Sequence, residues 1–334
     1  MPSLKTEVTE IVTGLGMLGY ASLADALRAR PPEMVNVGTE NWKRIQSAFA
    51  SGHHAGEFFG AWGNGIAFLS HSFGLRERRP LRIEWKGPHR PPGYELIPVD
   101  LRIDHAFLVS CKYKSRVLFN PSPSHLFDRC LANRYSKDHD DWYLVVAHEA
   151  YQRFYEVVRT ELDSHDLPNL VGTLTRVQRD YIGEITKHHW PTVLGDAYRV
   201  FCAEVSAASS LRWSSRLDTP AAQEEMFWRL LRICSAPYFI LGTSGNSSMR
   251  MRIETPWDWR QRFSLKQFSV NPDLNAGQPL VRWCGVVRCL DGSGDRTVAG
   301  HVEVRWSHGR FCGNPEAKVY LDTPHEEVPG YVTF

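Results

Sequence analysis

Residues 97–113, IPVDLRIDHAFLVSCKY, alternate with a period of two, and that alternation constrains the fold more than any other stretch. Successive side chains of a β-strand point to opposite faces. Ile97, Val99, Leu101, Ile103, Phe107, Val109, Cys111 and Tyr113 therefore make one apolar face, while Asp100, Arg102, Asp104, Ser110 and Lys112 fall on the other. Pro98, Ala106 and Leu108 interrupt the pattern without abolishing it. A three-residue turn at Asp104–His105–Ala106 sets Asp100 across from Ser110 and diagonal to Lys112. A two-residue turn would set it against Val109 and bury one of the two wrongly, so the pattern selects the first register. A carboxylate and an ammonium then share one face of a hairpin. Either that face is simply wet, or the two groups meet around a metal ion.

The flanks supply context. IVTGLGMLGYASLADALRAR and ENWKRIQSAFASG carry apolar residues at intervals of three and four, the mark of amphipathic helices. HAGEFFGAWGNGIAFLSHSFG (54–74) continues this with Phe58, Trp62, Ile66, Leu69 and Phe73 as one stripe and Gly74 as a C-cap, although Gly60, Gly63 and Gly65 argue against an unbroken helix. LRIEWKG, ELIPVDLRI and AFLVSCKYK read as strands, separated by breakers such as GPHRPPG. From about 123 to 241 the texture is helical, including AAQEEMFWRLLRICSAPYFIL, GTSGNSS (242–248) reads as a linker or turn, and 249–325 return to strands. The expected class is α/β, divided into 1–135 (N-terminal helices and an α/β core), 136–241 (helical) and 249–334 (β-rich).

On these residues the chain resembles the PD-(D/E)xK nuclease superfamily, whose core runs helix, strand, strand with Asp, strand ending in (D/E)-x-K, helix. The matching positions are Pro98-Val99-Asp100 and Ser110-Cys111-Lys112; CKYKS is a common texture for that third strand, and Glu57 on the preceding helix stands where family members place an acid. The resemblance spans roughly residues 40–135. It implies a restriction-endonuclease-like core, a hard divalent cation (Mg²⁺ or Mn²⁺) held by oxygen ligands, and nucleic acid as partner, DNA ahead of RNA. By the same resemblance Asp100 is the central metal ligand, Glu57 and the Cys111 backbone carbonyl complete the set, and Lys112 positions the attacking water. Ser110 is a departure, because a neutral hydroxyl stands where the family has Asp or Glu. The resemblance thus implies a metal-dependent endonuclease in defence against foreign (viral) DNA, with Asp100, Lys112, Glu57 and Ser110 as its catalytic set. The alternative is a catalytically inactive nuclease-like module that recognises nucleic acid or a partner within a larger assembly or homo-oligomer; a scaffold whose helical middle does the binding ranks third.

Composition narrows the rest. At 334 residues with 43% hydrophobic and 23% charged content, the chain belongs to the ordinary globular class rather than to disordered or disulfide-rich ones. A net charge of +2 carries no global basic signal, and the basic run LRERRPLRIEWKGPHR (75–90) reads first as a solvated loop and strand edge. Seven scattered Cys, with no signal-peptide h-region and no membrane-length apolar window, suit reduced thiols in a cytoplasmic protein without membrane association. Glu316-x-Lys318, with Asp291 or Asp295 upstream, offers a rival pattern, and Glu84-x-Lys86 another without its Asp. Cys284, Cys289, His308 and Cys312 lack zinc spacing on strands. His148-Glu149 has Gln152 where a zincin needs His. Arg282, Trp283, Arg288, Arg305, Trp306, His308 and Arg310 interleave bases with rings, a texture suited to stacking nucleobases or to an ordinary sheet with Arg over Trp.

Overall fold

The computed structural model describes residues 3–87, 97–113, 117–132, 140–163, 166–244 and 247–334. In chain order its elements begin α1 (Leu4–Gly16), α2 (Leu23–Ala29), β1 (Met34–Val35), α3 (Thr39–Ala50), α4 (Ala55–Ser70), β2 (Ile83–Trp85), β3 (Leu101–Ile103) and β4 (Phe107–Tyr113). There follow β5 (Val117–Phe119), α5 (Pro123–Phe127), α6 (Trp142–Glu161), α7 (Arg176–His188), α8 (Thr192–Ser214) and α9 (Pro220–Leu230). The last run is β6 (Tyr238–Ser244), β7 (Ser247–Ile253), α10 (Pro256–Arg260), β8 (Phe263–Asp273), β9 (Leu280–Cys289), β10 (Gly294–Arg305), β11 (Glu316–Leu321) and β12 (Tyr331–Thr333). The class is mixed α/β, with two sheets among the described residues.

The three consecutive segments read from the sequence are replaced by two interleaved units. Unit 1 comprises residues 1–116, 232–261 and 325–334, and unit 2 comprises 117–231 and 262–324. Local texture misses this because the return of the chain to an earlier sheet leaves no local mark. The run AAQEEMFWRLLRICSAPYFIL is a helix only to Leu230. Arg232 then turns left-handed and Pro237 withholds its N–H, so the β-branched and aromatic residues that follow become strand β6. GTSGNSS is mostly strand: Ser244 pairs with Ser247, and only residues 245–246, outside the described residues, remain between β6 and β7.

Unit 1 holds a seven-stranded sheet ordered β1-β2-β3-β4-β6-β7-β12. β2, β3 and β4 form an antiparallel meander, and β6 adds parallel to β4. The β3–β4 register is the three-residue one: Leu101 pairs with Val109 and Ile103 with Phe107. Asp104 (φ 48°) and His105 (φ 57°) supply the two positive φ values that suit the right-handed twist of the hairpin, and Ala106 N–H closes the turn on Ile103 O at 3.0 Å. Leu101, Ile103, Val109, Phe107, Cys111 and Tyr113 all join the core that α1 and α4 cover, as the alternation requires.

Helix α1 is buried along most of its length. Ser3 caps it by accepting from Thr6 N, and Val8, Ile11, Val12 and Leu15 have no exposed surface. α4 is a single helix despite its glycines. Its buried face is Phe58, Ala61, Asn64, Gly65 and Phe68, rotated from the expected stripe, and Ile66 and Phe73 are exposed. Small residues explain the rotation: a Cβ on Gly65 would lie 2.2 Å from Thr13 O and one on Gly16 2.5 Å from Trp62 O, so the helices cross backbone against backbone.

Unit 2 is a five-stranded sheet, β5-β11-β10-β9-β8, antiparallel at each pairing and packed by α8 and α9. Trp283 and Trp306 are buried, and Trp306 packs edge-on against Tyr143 and stacks with Phe311. The interleaved rings of the C-terminal strands are therefore core, and Arg282 is ion-paired with Asp273. Among the described residues, no helix is long and apolar enough to cross a membrane.

Candidate active site

Asp100 sits one residue before β3, opposite Ser110 by the register that pairs Leu101 with Val109. Its Oδ2 accepts the Cys111 backbone N–H at 2.6 Å and the Ser110 hydroxyl at 3.2 Å. No described donor bonds to its Oδ1. Burial pushes the Asp100 carboxyl above the ordinary carboxylate range, against the Cys111 N–H and the Lys112 charge, which favour the anion. Ser110 is only 1% exposed. On the polar face of the hairpin Ser110 is thus covered, while Asp100, Arg102, Asp104 and Lys112 are half-buried.

Lys112 lies two residues beyond Ser110 on the same face. Burial lowers its pKa, while Asp100 is the charge that most opposes the shift. Its ammonium makes no ion pair and no hydrogen bond with any described residue. Keeping such a charge inside a fold is costly. β6 runs directly alongside: Lys112 pairs with Gly242, where a Cβ would fall 1.5 Å from Lys112 O, so only glycine allows the strands this approach.

The acid that acts on this pair comes from α1. Glu10, 9% exposed, accepts the Trp85 indole N–H at 2.6 Å and is pushed up to about 8 by burial and then by the Asp100 charge. Lys112 acts on Glu10 in the opposite sense. Glu57, expected in this role, instead pairs with Lys5 at 3.0 Å and stands 4.0 Å from His54. Helical spacing distinguishes the two: Glu10 falls on the α1 face that meets Trp85 and the sheet, whereas Glu57 opens α4 beside the start of α1. A signal was present in the sequence. Glu7 and Glu10 interrupt the apolar stripe Val8, Ile11, Val12, Leu15, and a charge on a core-facing helix needs a partner. Glu7 has one, Arg44 at 2.9 Å.

A hydrogen-bonded chain extends from this site across the sheet. Thr13, one turn after Glu10, bonds the Tyr113 hydroxyl at 2.9 Å. Asn64 of α4 donates to Tyr113 Oη at 3.4 Å and to Gly242 O at 2.9 Å, and its Oδ1 accepts Arg250 Nε at 2.8 Å.

The rival constellations do not assemble. Glu316 is bonded by Asn120 and Ser307, Asp295 pairs with Lys266, and Asp291 caps its own turn through Ser293 N. Glu84 is held by Arg82 and Arg102, although Lys86 contributes to the field at Asp100 and donates its backbone N–H to Asp100 O at 3.0 Å. None of the seven cysteines is in a disulfide, and among the described residues no three His, Cys, Asp or Glu side chains gather as a cation site. Lys114 and Ser115 of the CKYKS texture, with residues 88–96, lie outside the described residues. Comparison with known proteins finds no matching family model, no matching curated protein and no matching solved structure.

Glu10, from the helix over the apolar face, is thus influenced by the charges of Asp100 and Lys112, of which Lys112 alternates to the other face of β4. The donor set fits a hard divalent ion in part. Glu10 and Asp100 are both oxygen donors that burial holds toward their neutral forms, Glu10 also through the Asp100 charge, a penalty that a bound cation would relieve. The strand N–H and C=O of one residue face the same neighbour, so the Cys111 carbonyl is turned to the side of Asp100. Ser110, whose hydroxyl is spent on Asp100, adds no charge.

Proposed function

We propose that unit 1 is a metal-dependent phosphodiester hydrolase acting on nucleic acid, DNA ahead of RNA, with a restriction-endonuclease-like core and a role in defence against foreign DNA. The observation that carries this reading is that a buried acid, Glu10, is influenced by the charges of Asp100 and Lys112, and that Lys112 has no ion-pair partner among the described residues. The meander β2-β3-β4 followed by parallel β6 supports the core assignment. Glu10, Asp100 and the Cys111 carbonyl would hold Mg²⁺ or Mn²⁺, which when bound polarises the phosphate and acidifies water. Hydrolysis joins the water oxygen to phosphorus and breaks one bridging P–O bond, with a proton passing to the leaving oxygen. Lys112 offsets the negative charge that grows on the phosphoryl oxygens and orients the water. Seven cysteines outside any disulfide are consistent with a cytoplasmic setting.

The shortage of acids favours one second reading, an inactive nuclease-like module that binds without cutting, because Ser110 supplies no carboxylate. Supercoiled plasmid and a structured RNA, each with Mg²⁺ or EDTA, separate the two. Wild type is expected to nick in Mg²⁺ only, with Glu10→Gln, Asp100→Asn and Lys112→Ala each slowing the reaction by about 100-fold or more and Glu57→Gln retaining most of it. Binding without cutting in every protein favours the inactive module; neither binding nor cutting removes the nucleic-acid reading altogether.

A further inference from the structure

Arg250 of β7 is a second cation that the proposed chemistry does not use. It is half-buried, and its guanidinium forms no ion pair with any described residue. Its only described side-chain bonds are to neutral groups, Nε to Asn64 Oδ1 at 2.8 Å and Nη2 to Ser248 Oγ at 3.3 Å. Burial lowers its pKa, a sign that desolvation is not repaid by a neighbouring carboxylate.

Its position is fixed with unusual care. Asn64, 1% exposed, is anchored on Gly242 O and Tyr113 Oη, and Tyr113 is anchored on Thr13. The register runs Cys111–Leu241–Arg250 across β4, β6 and β7. The Arg250 backbone is thus two strand spacings, about 10 Å, from the residue whose N–H holds Asp100. By the same register it shares the face of Cys111, which α1 covers and Glu10 comes from, while Lys112 alternates to the opposite face, and it lies toward the carboxyl ends of the parallel pair β4 and β6, where open α/β sheets place their ligands. Ser248 is exposed, so the guanidinium that bonds it lies beside the surface toward the turn end of the β6–β7 hairpin.

We propose that Arg250 is the binding group for a phosphate of the nucleic-acid backbone neighbouring the one cleaved, with Asn64 as the positioning residue that sets its plane. An arginine held at Nε presents its remaining N–H donors as a fork matched to two phosphate oxygens. The proposal rests on the nucleic-acid reading given above.

Binding of a labelled 20-base-pair DNA duplex and of the matching single strand, measured by fluorescence anisotropy in EDTA across a salt series, tests it without cleavage. Arg250→Gln should weaken binding several-fold and flatten the log–log salt slope by about 0.9 on duplex or about 0.7 on single strand, the value for one phosphate contact. Arg250→Lys should recover the slope but not the full affinity. Ser248→Asp sets a carboxylate beside the intact guanidinium and should reproduce the Gln effect, with Ser248→Asn near wild type; this pair covers any misfolding of the Arg250 variants. A wild-type slope in both Arg250→Gln and Ser248→Asp overturns the assignment while leaving the nuclease reading standing. Absence of binding by wild type to either probe overturns both.

Discussion

Replacing Glu10 by Gln should stabilise unit 1, by an amount that grows with pH. The neutral amide can still accept the Trp85 indole N–H, so the substitution removes charge and little else. Glu10 is raised from 4.5 to about 8 in the folded protein. Below about pH 4.5 the folded and unfolded chains both hold the proton, and the group has no effect. Between 4.5 and about 8 the unfolded chain has lost its proton while the folded one retains it, so stability falls with rising pH by about 1.4 kcal/mol per unit. Above about 8 the penalty is complete. Summed over this window the ceiling is about 5 kcal/mol, of which about 4 kcal/mol accrues between pH 5 and pH 9. Urea unfolding in EDTA at both pH values, read by mass-spectrometric alkylation of Cys111 in the unit 1 core, measures it for unit 1 alone. The advantage of the variant over wild type should be under about 1 kcal/mol at pH 5 and several kcal/mol at pH 9. Added Mg²⁺ at pH 9 should then recover wild type and not the variant. An advantage that is equal at the two pH values would refute the account of Glu10 as a buried acid strained by Asp100.

Two further outcomes test the frame around the site. Gly65→Ala drives a Cβ to 2.2 Å from Thr13 O and should cost about 2–4 kcal/mol in thermal melts, whereas Gly63→Ala on the same helix meets nothing within 4 Å and should stabilise by about 0.5–1 kcal/mol. Lys112→Met removes an ammonium with no ion-pair partner among the described residues while keeping its bulk, so stability should hold or rise near pH 7, the gain fading as pH climbs from the lowered folded value toward the ordinary lysine value of 10.5 and absent above it; a loss of more than about 2 kcal/mol would show that Lys112 is structural.

The hairpin could be read from its sequence because each of its determinants is local. Alternation fixed which residues face the core, and the three residues between Ile103 and Phe107 fixed the register, so Asp100 opposite Ser110 followed without any distant contact. The acid was missed for the opposite reason. Glu57 opens α4 and Glu10 lies in the second turn of α1, and only the crossing of α1 over α4, close at Gly16 and Gly65, decides which carboxyl reaches Trp85 and the sheet. Gly60, Gly63 and Gly65 read as breakers when propensity is the guide, yet Gly65 is there for close approach, and tertiary packing overrides propensity. The Trp283 and Trp306 texture failed similarly: interleaving with Arg says nothing about which face of a strand the next layer covers.

The least visible part is the neighbour of Lys112. Gly242 is separated from it by the whole first segment of unit 2, residues 117–231, yet the two are ladder partners. Closing so long a loop costs only logarithmically more than closing a short one, so the pairing is thermodynamically cheap but slow to find. The antiparallel meander β2-β3-β4 needs no such closure and carries Asp100, Ser110 and Lys112 by itself. What β6 and β7 add is the Gly242 carbonyl that seats Asn64, and through it Arg250. The charges proposed to act on the phosphate thus come from locally formed structure and α1, while the group proposed to hold the substrate arrives with the last strands to join. Damage to the β4–β6 pairing should therefore weaken substrate binding before it disturbs the acid pair.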